Sequence, residues 1–219
     1  MDWLKRTWLP ILTHVGALLP LAMLIWNFFH DQLTANPIQY ITFRTGKTAL
    51  VLLVLTLACT PLNTVFGLRQ VVSLRKSLGL YAFLYATLHF LTFVGLDYQF
   101  DPELLKEGIF KKRYALVGFS AFLALLPLAI TSTKGWMRRL GKNWKRLHRL
   151  IYLAAFLAVI HFVWLVKSDV REPLAYGAVV VVLLALRLKT IRRTLVNLRE
   201  RLANRRRGYN RVAFPEDLN

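Results

Sequence analysis

Six stretches of the chain carry no Asp, Glu, Lys or Arg and are mostly apolar: 7–30, 48–68, 77–96, 114–133, 150–166 and 173–186. An α-helix rises ~1.5 Å per residue and the hydrocarbon core of a bilayer is ~30 Å thick, so about 20 such residues cross it. The first four stretches reach that length, and the fifth falls only slightly short of it. The sixth is shorter still and would suit a buried helix of a soluble protein. After five crossings it reads instead as a sixth span. Leu186, Arg187, Leu188 and Lys189 continue it, with the basic heads snorkelling to the interface. The first stretch follows Lys5-Arg6 as a secretory signal would. It outruns a typical signal core, however, and no small-x-small site precedes His30-Asp31, so it reads as a retained helix.

Polar linkers separate the spans. The segment 31–47 holds Asn36-Pro37, Ser168 to Pro173 is short, and 97–113 reads as a solvated loop with Asp97, Asp101, Pro102, Glu103 and Glu107. The pattern contains no repeat, no low-complexity run and no soluble domain. It predicts an all-α, polytopic membrane helical bundle of six transmembrane helices over residues 1–188, followed by a basic tail, 189–219.

Composition agrees. Hydrophobic residues make up 56% of the 219 and mean hydropathy is +0.42, too apolar for a soluble domain or a disordered chain. A net charge of +19 would suggest nucleic acid in a soluble protein. Here its placement decides otherwise. With the N-terminus, 69–76, 134–149 and the chain from Arg187 onward on one side of the membrane, that side holds 22 of the 30 basic residues. The positive-inside rule then places both termini in the cytoplasm, with the basic residues against anionic lipid and no role for nucleic acid. Trp3, Trp8, Tyr98, Tyr114, Trp136 and Trp144 fall near span ends, as interfacial aromatics do. The single cysteine, Cys59, excludes a disulfide framework and any Cys-based zinc or iron–sulfur site.

The candidate chemistry lies in the histidines. His14, His89 and His161 fall inside spans, while His30 and His148 stand at span mouths. His89 and His161 each sit two to three residues past the centre of an outward-running span, so their imidazoles share one depth, roughly 4 Å beyond the midplane. Two histidines at one depth on different helices meet the requirement for axial ligation of a b-type haem lying between them. Phe90, Phe93, Phe156, Phe162 and Trp164 would supply apolar walls. The same pattern also fits helix-packing histidines or a proton relay. His148 precedes His161 by ~20 Å along a helix, the scale of a second redox group. Its partner on the third span would fall at Arg75 or Lys76, neither of which ligates iron as a histidine does. Arg75, Lys76, Arg138, Arg139, Lys145 and Arg146 surround this mouth and serve topology or an anionic cofactor such as a flavin phosphate.

Thr45-Gly46-Lys47-Thr48, Leu57 to Leu62, Leu78-Gly79-Leu80-Tyr81 through His89, Leu126 to Ser132 and Trp144 to Leu150 occur in this order near the ends of the spans. In these motifs, from about residue 40 to 188, the chain resembles the MsrQ (YedZ) family of the ferric-reductase-like transmembrane superfamily. The resemblance implies a cytochrome of the bacterial inner membrane, binding haem b and FMN, that forms a heterodimer with MsrP, a periplasmic molybdopterin-containing catalytic subunit. MsrP repairs methionine sulfoxide in proteins, and the electrons come from the quinone pool or a cytosolic flavin reductase. It implies that His89 and His161 are the axial ligands of the haem iron, and that His148 is haem-associated, a possible second ligand. Larger superfamily members carry paired histidines on both ligating helices; this chain has one on its third span. It shows no Gly-x-Gly-x-x-Gly nicotinamide turn and no candidate cysteine for molybdenum, so the sulfoxide chemistry is expected on the partner. The competing expectations are a self-sufficient ferric or quinone reductase and a proton-coupled carrier.

Overall fold

The computed structural model describes residues 2–166, 169–188 and 190–197, and among these the chain is helical with no strand. The helices are α1 (Asp2–Phe29), α2 (Pro37–Phe66), α3 (Arg69–Thr92), α4 (Pro102–Lys111), α5 (Arg113–Ile130), α6 (Lys134–Leu140), α7 (Lys142–Leu147), α8 (Leu150–Leu165) and α9 (Arg171–Ala185). Five helical stretches are long and apolar enough to cross a membrane: Trp8–Phe29, Pro37–Phe66, Arg69–Asp97, Arg113–Ile130 and Lys142–Leu165. A sixth crossing results if α9 and Thr190–Asn197, bent by 74° at their junction, form one span. The chain is a multi-pass, all-α membrane protein. Of the expected tail 189–219, residues 189 and 198–219 lie outside the described residues.

The linkers are shorter than the charge pattern suggests, because charged residues at span ends continue the helices. Asn36 caps α2 by accepting the Gln39 N–H at 3.1 Å, and Pro37 occupies the first helical position, where a missing N–H costs nothing. Arg44 and Lys47, expected in a loop, therefore stand on α2. Lys47 reaches Glu172 of α9 at 2.5 Å and ties the two helices. Gly67 closes α2 with φ 73, a left-handed conformation that favours glycine, and its N–H returns to Asn63 O. Only Gly67 and Leu68 separate α2 from α3. The segment 97–113, expected as a solvated loop, likewise folds as α4, started by the Asp101 carboxylate accepting the N–H groups of Glu103 and Leu104.

α2 packs against α3, α5 packs against α8, and the two hairpins face each other. Small residues on α3 and α8 (Ala82, Ala154 and Ala155, all essentially inaccessible) let backbones approach closely, where packing rather than water expulsion holds helices together. Tyr85, fully buried, donates to Ala17 O at 2.7 Å and seats α1 on α3. The remaining surface of α1 is a broad lipid-type face, including Leu12, Val15 and Trp26.

One contact overturns an expectation. Arg187 does not snorkel outward; it turns into the bundle. Its Nη2 donates to Leu57 O at 2.6 Å and its Nη1 to Tyr152 Oη at 2.8 Å. Pro61 explains this choice. It has no N–H to return to the carbonyl four residues earlier, so Leu57 O is left open within α2 and a charged donor fills it.

Candidate functional site

Among the described residues, two cavities between the helices share Leu53 and Leu125 in their walls. The larger is about 890 Å³ and mostly apolar, at the upper end of the usual range for cofactor-sized pockets. His89 of α3 and His161 of α8 both line it, with ring centres 6.0 Å apart and ring planes at 80°. Metal–imidazole bonds of about 2.0 Å, with the ring nitrogen about 1.1 Å from the ring centre, put two imidazoles on opposite sides of one ion about 6 Å apart, centre to centre. The observed spacing fits.

Each ring is held in the same way. His89 Nδ1 pairs with Thr42 O of α2 at 2.8 Å, and His161 Nδ1 with Tyr114 O of α5 at 2.7 Å. A carbonyl only accepts, so Nδ1 carries the proton and Nε2 keeps the lone pair a metal needs. Both bonds span 47 residues of chain. Four residues beyond each carbonyl stands a glycine. A Cβ on Gly46 would lie 2.9 Å from His89 Nδ1, and one on Gly118 would lie 2.6 Å from His161 Nδ1. Both rings thus rest against bare helix backbone. Among the described residues no three His, Cys, Asp or Glu side chains cluster around a metal position. An ion held by this pair would need its other ligands from water or from a group it arrives with, as iron does in a macrocycle.

These correspondences reveal an internal repeat that the linear pattern does not display. Positions separated by one constant sequence offset pair across the larger cavity: Thr42 with Tyr114, Gly46 with Gly118, Ala86 with Ala158, His89 with His161, and Phe90 with Phe162. Few identities survive besides these small residues, the histidines and one phenylalanine pair, which is why hydropathy alone passes over them. Phe90, Phe93 and Phe162 line the cavity as expected, whereas Phe156 and Trp164 are more than half exposed and face outward. At its mouth, α3 widens into a π-helical turn over Phe93–Asp97, a distortion frequent at functional sites. Lys112 stands there and donates to Tyr98 Oη at 3.0 Å, a bond that pushes its ammonium above the usual lysine range.

His148 belongs to the second cavity, of about 560 Å³. The helical ladder is interrupted by a turn at His148 and Arg149 between α7 and α8, within the single span Lys142–Leu165 that carries both His148 and His161. Its Nδ1 pairs with Trp144 O at 3.1 Å, and its buried Nε2 has no partner among the described residues. Its counterpart at the same offset is Lys76, which lines the same cavity. Arg75, Lys145, Arg149 and Arg187 add positive charge to the walls, while Arg138, Arg139 and Arg146 do not line them. Sequence reasoning misses Arg187 as a cavity residue, although Pro61 signals the open carbonyl it fills. His14 and His30 take packing roles: His14 Nδ1 meets Tyr81 Oη at 2.9 Å, and His30 stacks on Trp26 and pairs with its carbonyl. Cys59 is buried and bonds Leu55 O.

Residues 45–159 match the family model of the ferric reductase like transmembrane component. A protein-methionine-sulfoxide reductase heme-binding subunit MsrQ of Xanthomonas axonopodis pv. citri is 50% identical over 183 residues, 81% of this chain and 84% of that protein. The MsrQ of Herminiimonas arsenicoxydans is 44% identical over 187 residues, 84% of this chain and 86% of its own length. No solved structure matches the chain. With half its residues shared over four-fifths of its length, and with the ferric-reductase core lying across the paired hairpins, the chain belongs to the MsrQ family.

Proposed function

We propose that this chain is the b-type haem subunit of a methionine sulfoxide reductase system, and that its domain of residues 1–188 carries electrons across the bacterial inner membrane. The observation that carries the reading is the facing pair His89 and His161, each pinned through Nδ1 and each leaving Nε2 to the cavity. Haem b bound between them supplies a one-electron carrier. His89 and His161 would hold the haem iron through their Nε2 atoms and would leave it no position open to oxygen or substrate, which would suit one-electron relay rather than catalysis. Phe90 and Phe162 keep water from the macrocycle, and the carbonyls of Thr42 and Tyr114 hold the ring protons in place.

The second cavity suits FMN. Lys76, Lys145, Arg149 and Arg187 offer charge-assisted donors to a phosphate, while Tyr152 and Trp144 give a flat wall. His148 would then contact that group, or would be the one residue here to hold the iron of a second haem. The basic surface around this cavity and the tail 189–219 lie in the cytoplasm, where electrons enter from the quinone pool or a flavin reductase. They leave on the opposite side, beside α4, to a periplasmic molybdopterin-containing partner, MsrP, that performs the sulfoxide reduction. The test is the reduced-minus-oxidised spectrum of the purified chain, with haem measured as the pyridine haemochrome and flavin by its fluorescence after extraction. Low-spin b-type bands are the expected result. A colourless protein would overturn the reading in favour of a proton carrier.

A further inference from the structure

We infer that Gly46 and Gly118 are positioning residues that set the two axial imidazole planes nearly perpendicular to each other, and so tune the electronic state of the iron. The inference rests on the haem reading above and deepens it. His89 and His161 stand at 80°, and neither ring can turn freely. Rotation of His89 would break its bond to Thr42 O, and rotation of His161 its bond to Tyr114 O. Each ring also lies where a side chain would otherwise be: the space beside His89 is the missing Cβ of Gly46, at 2.9 Å, and that beside His161 is the missing Cβ of Gly118, at 2.6 Å. Such distances demand that something shift. On both sides the obstacle would be a planar ring bonded at one end to backbone, not the loose end of a flexible chain.

Tight packing at glycine also occurs elsewhere, as at Gly108, whose Cβ would lie 2.4 Å from Tyr98. Gly16, on α1, has nothing within 4 Å of its ideal Cβ, and Gly79, on α3, meets only Thr56 at an ordinary 3.6 Å. The two that touch imidazoles are the pair related by the repeat. An imidazole donates π density in the direction normal to its plane. Parallel rings therefore act on one iron d orbital and split it from its neighbour, whereas crossed rings act on both and leave them nearly degenerate. Second-layer contacts that fix ring orientation are thus a lever on the metal itself.

The experiment is low-temperature EPR of the full-length ferric protein, together with its midpoint potential. The wild type is expected to give a highly anisotropic low-spin signal dominated by one large-g feature. Gly118→Ala should lose most of that signal to a rhombic low-spin or high-spin form and shift the potential. Gly46→Ala should do so less, in line with its longer contact, and Gly16→Ala should leave both readouts unchanged. A rhombic three-line wild-type spectrum would overturn the inference, as would glycine variants that hold haem and keep the wild-type signal. Should the alanine variants fail to assemble, the wild-type spectrum alone decides. The haem reading fails differently, through the absence of a low-spin haem altogether.

Discussion

The two cavities are built largely from the same four helices and draw on positions related by one constant sequence offset, yet the paired histidines, glycines and phenylalanines occur only in the larger. In the larger, the positions nearest the histidines match (Gly46 with Gly118, Ala86 with Ala158, Phe90 with Phe162, and His89 with His161), although Thr42 pairs with Tyr114 and Phe43 with Ala115. In the smaller they diverge, with Lys76 opposite His148, Gly79 opposite Ile151 and Leu80 opposite Tyr152. A bundle can thus keep a two-fold scaffold while assigning different chemistry to its two ends. The matched end suits an ion bound from both sides. The unmatched end suits an anionic group gripped from one side by cations, with an aromatic wall behind it.

The largest effect expected from breaking this comparison follows from removing a histidine at each end in turn. His161→Ala should abolish the low-spin haem spectrum, whereas His148→Ala should leave most of it; equal losses would show that the cavities are not distinct. Next comes Arg187→Met. It strips a charged donor from both Leu57 O and Tyr152 and should cost about 1.5–3 kcal/mol of stability, read as a lower thermal midpoint. Flavin content should fall with it, while the haem bands persist. Lys76→His would sharpen the comparison from the other direction. It places a second imidazole opposite His148, and haem per chain, measured by pyridine haemochrome, should rise above the wild-type ratio. The smallest effect belongs to Lys47→Met. Its ion pair with Glu172 is more than a third exposed at both ends, so thermal stability should change by less than about 1 kcal/mol, read as a thermal midpoint.

Much of this is legible in the linear pattern, for definite reasons. Spans are visible because lipid tolerates no uncompensated charge, and the equal depth of His89 and His161 follows from counting residues along helices of known rise. The ends of helices are harder. Arg44, Lys47 and the 97–113 segment look like loop because they are charged, but helices extend past the membrane wherever Asn36 or Asp101 can cap them. The repeat stays hidden because few identities mark it, here two glycines, a few alanines, the two histidines and Phe90 with Phe162, amid otherwise exchanged apolar residues. Arg187 is misread because a basic residue at a span end ordinarily reaches for water. The open carbonyl that draws it inward is created by Pro61, far away in the chain.

The central claim is that one iron lies between His89 and His161, held from both sides. The most direct measurement is the absorbance spectrum, oxidised and dithionite-reduced, of purified His89→Ala and His161→Ala beside the unaltered protein, with bound haem quantified in each. Loss of the low-spin Soret and α bands in both variants is the predicted result. Retention of those bands at full intensity in either one would contradict the account.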